Sequence, residues 1–150
     1  MRWLLIPCLV AVLAACGSAK TTDEPLEALK ARAESARPNE QGPLFAAIAR
    51  REVNEADRFY TEGDIAKAKR AVDEVVAYAG RATDAAHKSG KQLKQTEIVL
   101  RDTARRLDDV RKTLNFEDMP YVEAAVRQVE KLRRKLLEQM FGPQTKENKK

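Results

Sequence analysis

The chain has 150 residues, of which 34% are charged and only 5% are aromatic, and its formal net charge is +5. A chain of that length has room for one compact domain and little more. Gly and Pro contribute six residues each, whereas Ala, Leu, Glu, Lys and Arg are abundant, a balance that favours helices over strands. We therefore expect an all-α protein with a single folded domain.

The first element in chain order is an apolar run. Met1 and Arg2 precede it, and it extends from Trp3 to Ala15 with small residues at its end. A charged start, an apolar centre and small closing residues are the profile of a secretory signal peptide. The run is too short for a membrane-spanning helix, which needs about 20 apolar residues. The sequence therefore predicts a cleaved signal peptide over residues 1–15.

The end of this run carries a short motif, in which Leu13, Ala14 and Ala15 precede Cys16 and Gly17 follows it. The motif resembles the lipobox of bacterial lipoproteins. The resemblance implies that Leu13, Ala14, Ala15 and Gly17 are read as a recognition sequence, and that Cys16 becomes the lipid-carrying first residue of the mature protein. Dual acylation anchors a protein stably in a membrane. An ordinary cleaved secretory signal is the alternative.

Cysteine usage agrees with this interpretation. Cys8 lies within the predicted signal peptide and Cys16 is the predicted lipid carrier, so the mature chain is left with no disulfide and no thiolate metal site. The only predicted cofactor is the covalent lipid on Cys16. Gly17 is not the Asp that resembles an inner-membrane retention signal in enteric bacteria. We therefore favour an outer-membrane address facing the periplasm, if the host has two membranes.

A polar segment follows over residues 16–42, with scattered apolar positions only. Within it, a short helical pattern opens at Pro25, where the missing N–H costs nothing, and it must stop before Pro38. We predict that this segment is a partly helical tether. The helical body then starts at Pro43.

Two amphipathic helices are predicted next. Apolar residues recur at three- and four-residue steps after Pro43. Gly63 is suited to end the first helix in the left-handed conformation, and Asp64 is suited to cap the second, which runs to about Ser89. Gly80 weakens the middle of that second helix and is expected to mark a kink or a close helix crossing.

One resemblance concerns the turn between these helices. Phe59, Gly63, Asp64, Ile65 and Ala68 lie at offsets similar to those of a tetratricopeptide-type helical hairpin. The resemblance covers about one 34-residue unit, and no second copy lies 34 residues before or after it. It therefore implies one hairpin and not a repeat array, which normally stacks at least three units.

The clearest periodicity is a heptad seam from Leu93 to Leu114, which the next helix repeats from Val122 to Leu136. The link between them is short, so the two helices should pair antiparallel, with Phe116 closing that end together with Tyr121.

Pairing this hairpin with the first one predicts an antiparallel four-helix bundle, or two packed helical hairpins, over residues 43–142. An elongated hairpin that forms a homo-oligomer is the alternative. Residues 143–150 are predicted to be a disordered basic tail.

Charge points to one candidate contact surface, the basic run of Lys131, Arg133, Arg134 and Lys135. Its expected ligands are anionic phospholipid, lipopolysaccharide phosphate or cell-wall carboxylate. Most other charges are spaced i to i+4 with the acid first, which stabilises a solvated helix face. These pairs are Glu97–Arg101, Asp102–Arg106, Asp108–Lys112, Glu123–Arg127 and Glu130–Arg134.

Catalytic chemistry finds little support in the sequence. The mature chain has one histidine, His87, and neither a Gly-rich phosphate loop nor a nucleophile elbow. Asp84 shares a helical face with His87, but a di-iron bundle needs two such histidines and further buried Glu residues. We therefore predict no catalytic residue, no metal site, no enzymatic activity and no nucleic-acid partner.

The remaining expectation is function by contact. We expect a membrane-anchored envelope lipoprotein that acts as a helical adaptor, scaffold or assembly factor for another envelope protein. The alternative is a module that binds lipid, lipopolysaccharide or peptidoglycan in a bundle groove. The small residues that would line such a groove are Ala68, Ala71, Ala79 and Ala82, although Ala at these positions is more simply explained by close helix packing.

Overall fold

The structure is a computed structural model that describes residues 24–142. These residues form five helices and no strand: α1 (Leu26–Ser35), α2 (Pro38–Glu62), α3 (Ile65–Ser89), α4 (Leu93–Thr113) and α5 (Met119–Phe141). The predicted all-α class is confirmed. The predicted signal peptide, its lipobox and the predicted tail over residues 143–150 lie outside the described residues.

The helices pack as two hairpins, α2 with α3 and α4 with α5. The hairpins lie side by side with α2 parallel to α4. Arg106 of α4 donates to Asn54 of α2 at 2.6 Å, and twelve residues earlier in α2 Gly42 lies against Thr96. The contacts that make α3 parallel to α5 are Tyr121 with Asp73 and Gln139 with His87. The fold is thus the paired-hairpin form of the predicted bundle.

Helix α1 belongs to the body and not to a tether. Leu29 is 1% exposed and Ala33 is fully buried, and both join the common core. The helix is also held by ion pairs, Lys30 with Glu52 of α2 and Glu34 with Arg81 of α3. The predicted boundary between tether and body, at residue 42, therefore lies too far toward the C-terminus. Two buried apolar residues are enough to pack a helix of this length on the core, and so weak a pattern resembles a tether in the sequence.

The start of α2 is the second correction at this boundary. Pro38 occupies the first turn, and the carbonyl of Arg37 accepts hydrogen bonds from the N–H groups of Glu40 and Gln41. Pro43, the predicted first residue, lies inside the helix. The residues of the first turn are polar and face solvent, so they add nothing to the apolar periodicity from which the start of the helix was predicted.

The turn between α2 and α3 follows the prediction. Gly63 has a φ of 79°, which is the left-handed conformation that closes helices. The Asp64 side chain accepts a hydrogen bond from the N–H of Lys67 at 3.1 Å and so caps α3. Two residues therefore set both the end of one helix and the start of the next.

The close helix crossing occurs at Gly42 and not at Gly80. A Cβ atom added to Gly42 would lie 3.0 Å from Thr96 Oγ1 and 3.2 Å from Ala86 Cβ, whereas one added to Gly80 meets nothing within 4 Å. Gly42 thus lets α2 approach α3 and α4 at the start of the bundle. The expectation of a close crossing at Gly80 is wrong.

Closure of the turn between α4 and α5 also differs from the prediction. Phe116 is 87% exposed and covers nothing. Tyr121 packs at the edge, where its hydroxyl donates to Asp73 Oδ1 at 2.5 Å. The heptad cores of α4 and α5 are already closed by Val110 and Val122, which are buried without help from Phe116.

Candidate contact surfaces

The predicted lipid carrier Cys16 lies outside the described residues, as do Leu13, Ala14, Ala15 and Gly17. Among residues 24–142, no helix is both long and apolar enough to cross a bilayer. Because α1 packs on the body, the predicted tether is limited to the residues between Cys16 and Glu24. Fully extended, the chain from Cys16 to Glu24 covers at most about 28 Å.

The predicted basic surface on α5 is only partly as expected. Lys131, Arg134 and Lys135 are exposed on one helix face, and no side chain among the described residues pairs with them. Arg133 points away from them, toward α4.

Arg133 is held in place by two carboxylates. Its Nε donates to Glu97 Oε1 and its Nη1 to Glu130 Oε2, both at 2.7 Å. The Glu97 bond contributes most to raising the pKa of this guanidinium. Arg133 is therefore a structural residue and does not belong to the predicted contact surface, since a helix turns its side chain about 200° away from that of Lys131.

The two ends of the bundle differ in charge. One end, called the basic end below, comprises residues 34–44, 81–97 and 131–142 and contains nine Lys or Arg and five Asp or Glu. The opposite, acidic end comprises residues 55–73 and 108–123 and contains six Lys or Arg and ten Asp or Glu. The sequence conceals this polarity because each end is assembled from separate segments of the chain.

The basic end also carries an apolar feature at the last turn of α5. Phe141 is 70% exposed, and with Leu137, Arg134 and Glu138 it lines a shallow cup of about 290 Å³. The ring of Phe141 thus lies beside one guanidinium, that of Arg134, and one carboxylate, that of Glu138.

A groove runs between the parallel helices α2 and α4. Its floor is Val53 and Val110, both buried, and its volume is about 340 Å³. A second depression of about 450 Å³ adjoins it through the shared residues Asn54 and Arg106. The remaining lining residues are Arg50, Asp57, Asp102, Arg105, Asp109 and Thr113. An apolar floor with a polar rim is the usual build of a protein contact surface.

Charges in this groove are loosely held. Arg106 donates to the neutral side chain of Asn54, and Arg105 approaches Asp102 at 3.4 Å. Arg50 has no partner among the described residues. A guanidinium that is not locked to a carboxylate keeps its donors available for an incoming acceptor.

A buried ion pair joins α1 to α2. Lys30 Nζ lies 2.8 Å from Glu52 Oε1, and Glu52 is 5% exposed. Burial raises the pKa of the Glu52 carboxyl, against the opposing effect of Lys30. Burial is the largest single influence on Lys30 and opposes its charged form, but the bond to Glu52 and the charges of Glu52, Tyr78 and Glu27 together raise the pKa of Lys30. The pair positions α1 and offers no open space for a ligand.

Titratable groups at the acidic end form a second cluster. The Tyr60 hydroxyl is buried without a hydrogen-bond partner among the described residues. Burial, together with the charge of Asp118, raises the pKa of Tyr60 to about 12, so it remains protonated at neutral pH. Lys69 pairs with Asp118 at 3.2 Å. These contacts join α3 to the start of α5 and supply no nucleophile.

His87 and Asp84 do not form a ligand pair. His87 Nδ1 lies 2.7 Å from Gln139 Oε1, and the Gln139 amide donates to the His87 carbonyl. Over the described range 24–142, no group of three or more His, Cys, Asp or Glu side chains is arranged to hold a metal ion.

The alanines proposed to line a ligand groove are buried in helix packing. Ala68, Ala79 and Ala82 are fully buried, and Ala71 is 5% exposed. They allow close approach of the helices, as small core residues do. Close helix packing therefore explains these alanines, and they do not line a groove on α3.

Two of the five predicted i, i+4 ion pairs form, Asp108 with Lys112 at 2.9 Å and Glu123 with Arg127 at 2.5 Å. The acids of the other three pairs select different partners. Glu97 and Glu130 bind Arg133, and Asp102 meets Arg105. Sequence spacing does not reveal contacts between helices, which is why the Glu97–Arg133 contact was missed.

Comparison of the chain with known protein families, curated proteins and solved structures finds no match.

Proposed function

We propose that this protein is a lipid-anchored helical adaptor of a bacterial cell envelope. In this proposal, Cys16 carries the lipid, the helical body contacts an envelope protein, and the protein has no catalytic activity of its own. The outer membrane, facing the periplasm, is the proposed location if the host has two membranes. The lipobox resemblance supports the anchor, and the groove between α2 and α4 supports the contact.

The groove is the observation that carries the adaptor function. Val53 and Val110 at its floor are almost fully covered, so the groove offers a partner chiefly its rim, where the guanidinium groups of Arg50 and Arg106 are not paired with carboxylates among the described residues. Arg is enriched at protein interfaces because it combines bidentate donation with an apolar stem. The rim also contains Asp57, Asp102 and Asp109, so the fitting ligand is a polar polypeptide segment of mixed charge.

The alternative function, binding of lipid, lipopolysaccharide or peptidoglycan, has one supporting observation. Exposed cations and Phe141 meet at the basic end, which suits an anionic surface. The cup at Phe141 has a volume of about 290 Å³ and is open to solvent, so it does not enclose a single molecule. Protein contact is therefore the favoured function.

The anchor is tested by Cys16→Ala in cells fed a clickable fatty acid. The parent should incorporate the label and sediment with membranes, whereas the variant should lose the label and be released or remain an uncleaved precursor. A variant that is still labelled and still sediments with membranes contradicts the anchor.

The contact surface is tested with a photoreactive amino acid placed in living cells. Asn54 and Arg105 probe the groove, and the exposed Ala77 on α3 is a matched control. A discrete protein adduct from the groove positions, absent from the control, supports the adaptor. Adducts with lipid or cell-wall material alone, or equal adducts from all three positions, contradict it.

A further inference from the structure

The basic end leaves most of its positive charge without an ion-pair partner among the described residues. Seven of its basic side chains have no ion-pair partner among the described residues, against three unpaired acids. The basic residues are Arg37, Lys88, Lys91, Lys94, Lys131, Arg134 and Lys135. The acids are Glu40, Asp84 and Glu138. Charge at this end is therefore uncompensated, and an anionic partner would compensate it.

These cations surround one end of the bundle and do not form a stripe along its side. The contact between His87 and Gln139 places the end of α3 against the last turns of α5. The start of α4 follows α3 directly, so Lys91 and Lys94 belong to the same end. A partner that covers them together must present a broad anionic face and not a single narrow segment.

Phe141 adds the second property of the surface. Its ring is 70% exposed at the last turn of α5, beside Leu137 and Arg134. Aromatic rings with neighbouring cations are favoured at the boundary between lipid headgroups and acyl chains, because the ring enters the apolar layer while the cations meet phosphate. A soluble acidic protein would satisfy the charges but would offer no layered apolar boundary for the ring.

The length of the predicted anchor segment allows the basic end of the bundle to face the membrane. Arg51 of α2 donates a hydrogen bond to the carbonyl of Glu24, so Glu24 lies near the level of Arg51 along the bundle. From Arg51 to Pro38 at the basic end, α2 descends about 20 Å. A chain of at most about 28 Å from Cys16 to Glu24 spans that descent. This step rests on the proposed anchor, whereas the charge and the exposed ring do not.

We propose that the basic end docks on an anionic phospholipid bilayer, with Phe141 entering the headgroup boundary and the surrounding Lys and Arg side chains meeting lipid phosphates. The docked bundle stands with its acidic end away from the membrane. The groove between α2 and α4 then opens to the side, where a protein partner has access.

The test uses the mature chain, residues 16–150, with Cys16→Ser so that no acyl chain contributes. The core extends from Leu29 to Leu136 and lies wholly within this chain, so the body retains its packing. Partitioning is measured by vesicle co-sedimentation. One vesicle contains equal parts phosphatidylcholine and phosphatidylglycerol, and the other contains phosphatidylcholine alone.

We expect binding to the anionic vesicle only, and weakening as salt is raised. Arg134→Gln with Lys135→Gln should reduce partitioning about fivefold for each charge removed. Phe141→Ser should weaken it further at high salt, where the apolar contact remains. The matched control, Lys67→Gln with Arg70→Gln at the acidic end, should bind as the parent does.

Three outcomes overturn the proposal. They are equal partitioning to both vesicles, equal loss in the control variant, and displacement of the protein from vesicles by polyglutamate at charge equivalence, which would indicate an acidic polypeptide as the true partner. Because this chain carries no lipid, failure here leaves the acylation of Cys16 unaffected, and failure of acylation leaves this result unaffected.

Discussion

The two ends of the bundle share one core but differ in surface. The acidic end closes with capped turns and paired charges, such as Asp64 with Lys67 and Lys69 with Asp118. The basic end leaves most of its cations unpaired and exposes Phe141. Each end exposes one phenyl ring, Phe116 at the acidic end and Phe141 at the basic end. The unpaired charge of one sign distinguishes the basic end, because such charge destabilises a compact protein through self-repulsion and is relieved by an anionic partner.

The largest expected effect tests whether both ends belong to one cooperative core. Leu136 at the basic end and Leu107, which directly precedes the acidic end, are fully buried. Leu136→Ala and Leu107→Ala should each lower the free energy of unfolding by about 2–5 kcal/mol through the lost burial and the cavity left behind. Urea denaturation followed by circular dichroism measures this. We expect a single unfolding transition in which the dependence of the free energy on urea concentration is unchanged. Two separate transitions would show that the two ends unfold independently.

The second prediction separates a structural cation from a surface cation at the basic end. Arg133→Ala leaves the nearly buried carboxylate of Glu97 without its partner and should cost about 2 kcal/mol. Arg134→Ala removes an exposed, unpaired charge and should change stability by less than about 0.5 kcal/mol. Chemical denaturation of both variants gives the comparison. Equal effects would mean that the Glu97–Arg133 contact does not hold α4 to α5.

The third prediction concerns two glycines with opposite surroundings. Gly42→Ala should destabilise the fold by about 1–2 kcal/mol, because its Cβ meets the Thr96 side chain and the packed Ala86. Gly80→Ala has open space and should stabilise α3 by up to about 1 kcal/mol. Thermal melts of both variants test this, and a stabilising Gly42→Ala would show that the crossing at the basic end is loose.

The smallest effect lies at the acidic end, in the Asp64 cap of α3. Hydrogen bonds from the Lys67 side chain and backbone lower the pKa of Asp64 in the folded protein below its ordinary value of 3.8. The stabilisation from the ionised cap is therefore fully present above pH 3.8, and it is lost as the pH falls through the lower pKa of the folded state. Asp64→Ala should lower Tm by a few degrees at neutral pH, while Asp64→Asn should lower it less. The difference between parent and Asp64→Ala should shrink in acid. A difference independent of pH would contradict a role for the ionised cap.

Local rules explain what the sequence predicted well. Gly63 and Asp64 determine a turn through their own backbone and side-chain preferences, and the heptad spacing of α4 and α5 determines a pair of amphipathic helices. These features require only neighbours along the chain. The all-α class, the turn and the paired hairpins were accordingly predictable.

Contacts between distant segments explain what was missed. Arg133 seemed to belong with Lys131 and Arg134 because they are adjacent in sequence, but its partner Glu97 comes from another helix. The charge difference between the ends likewise appears only when the five helices are assembled, since each helix alone has mixed charge. The lipobox residues remain a prediction from the sequence.

The orientation of the bundle on the membrane is measured with a spin label at each end of the acylated protein in membranes containing phosphatidylglycerol. Glu138→Cys labels the basic end and Glu62→Cys labels the acidic end, both at exposed positions. Collision rates with oxygen, which concentrates in lipid, and with a water-soluble nickel chelate report the depth of each label. If the basic end docks on the bilayer, the label at residue 138 is reached by oxygen and shielded from the chelate, and the label at residue 62 shows the reverse. Equal rates at both positions, or greater shielding at residue 62, would contradict docking by the basic end.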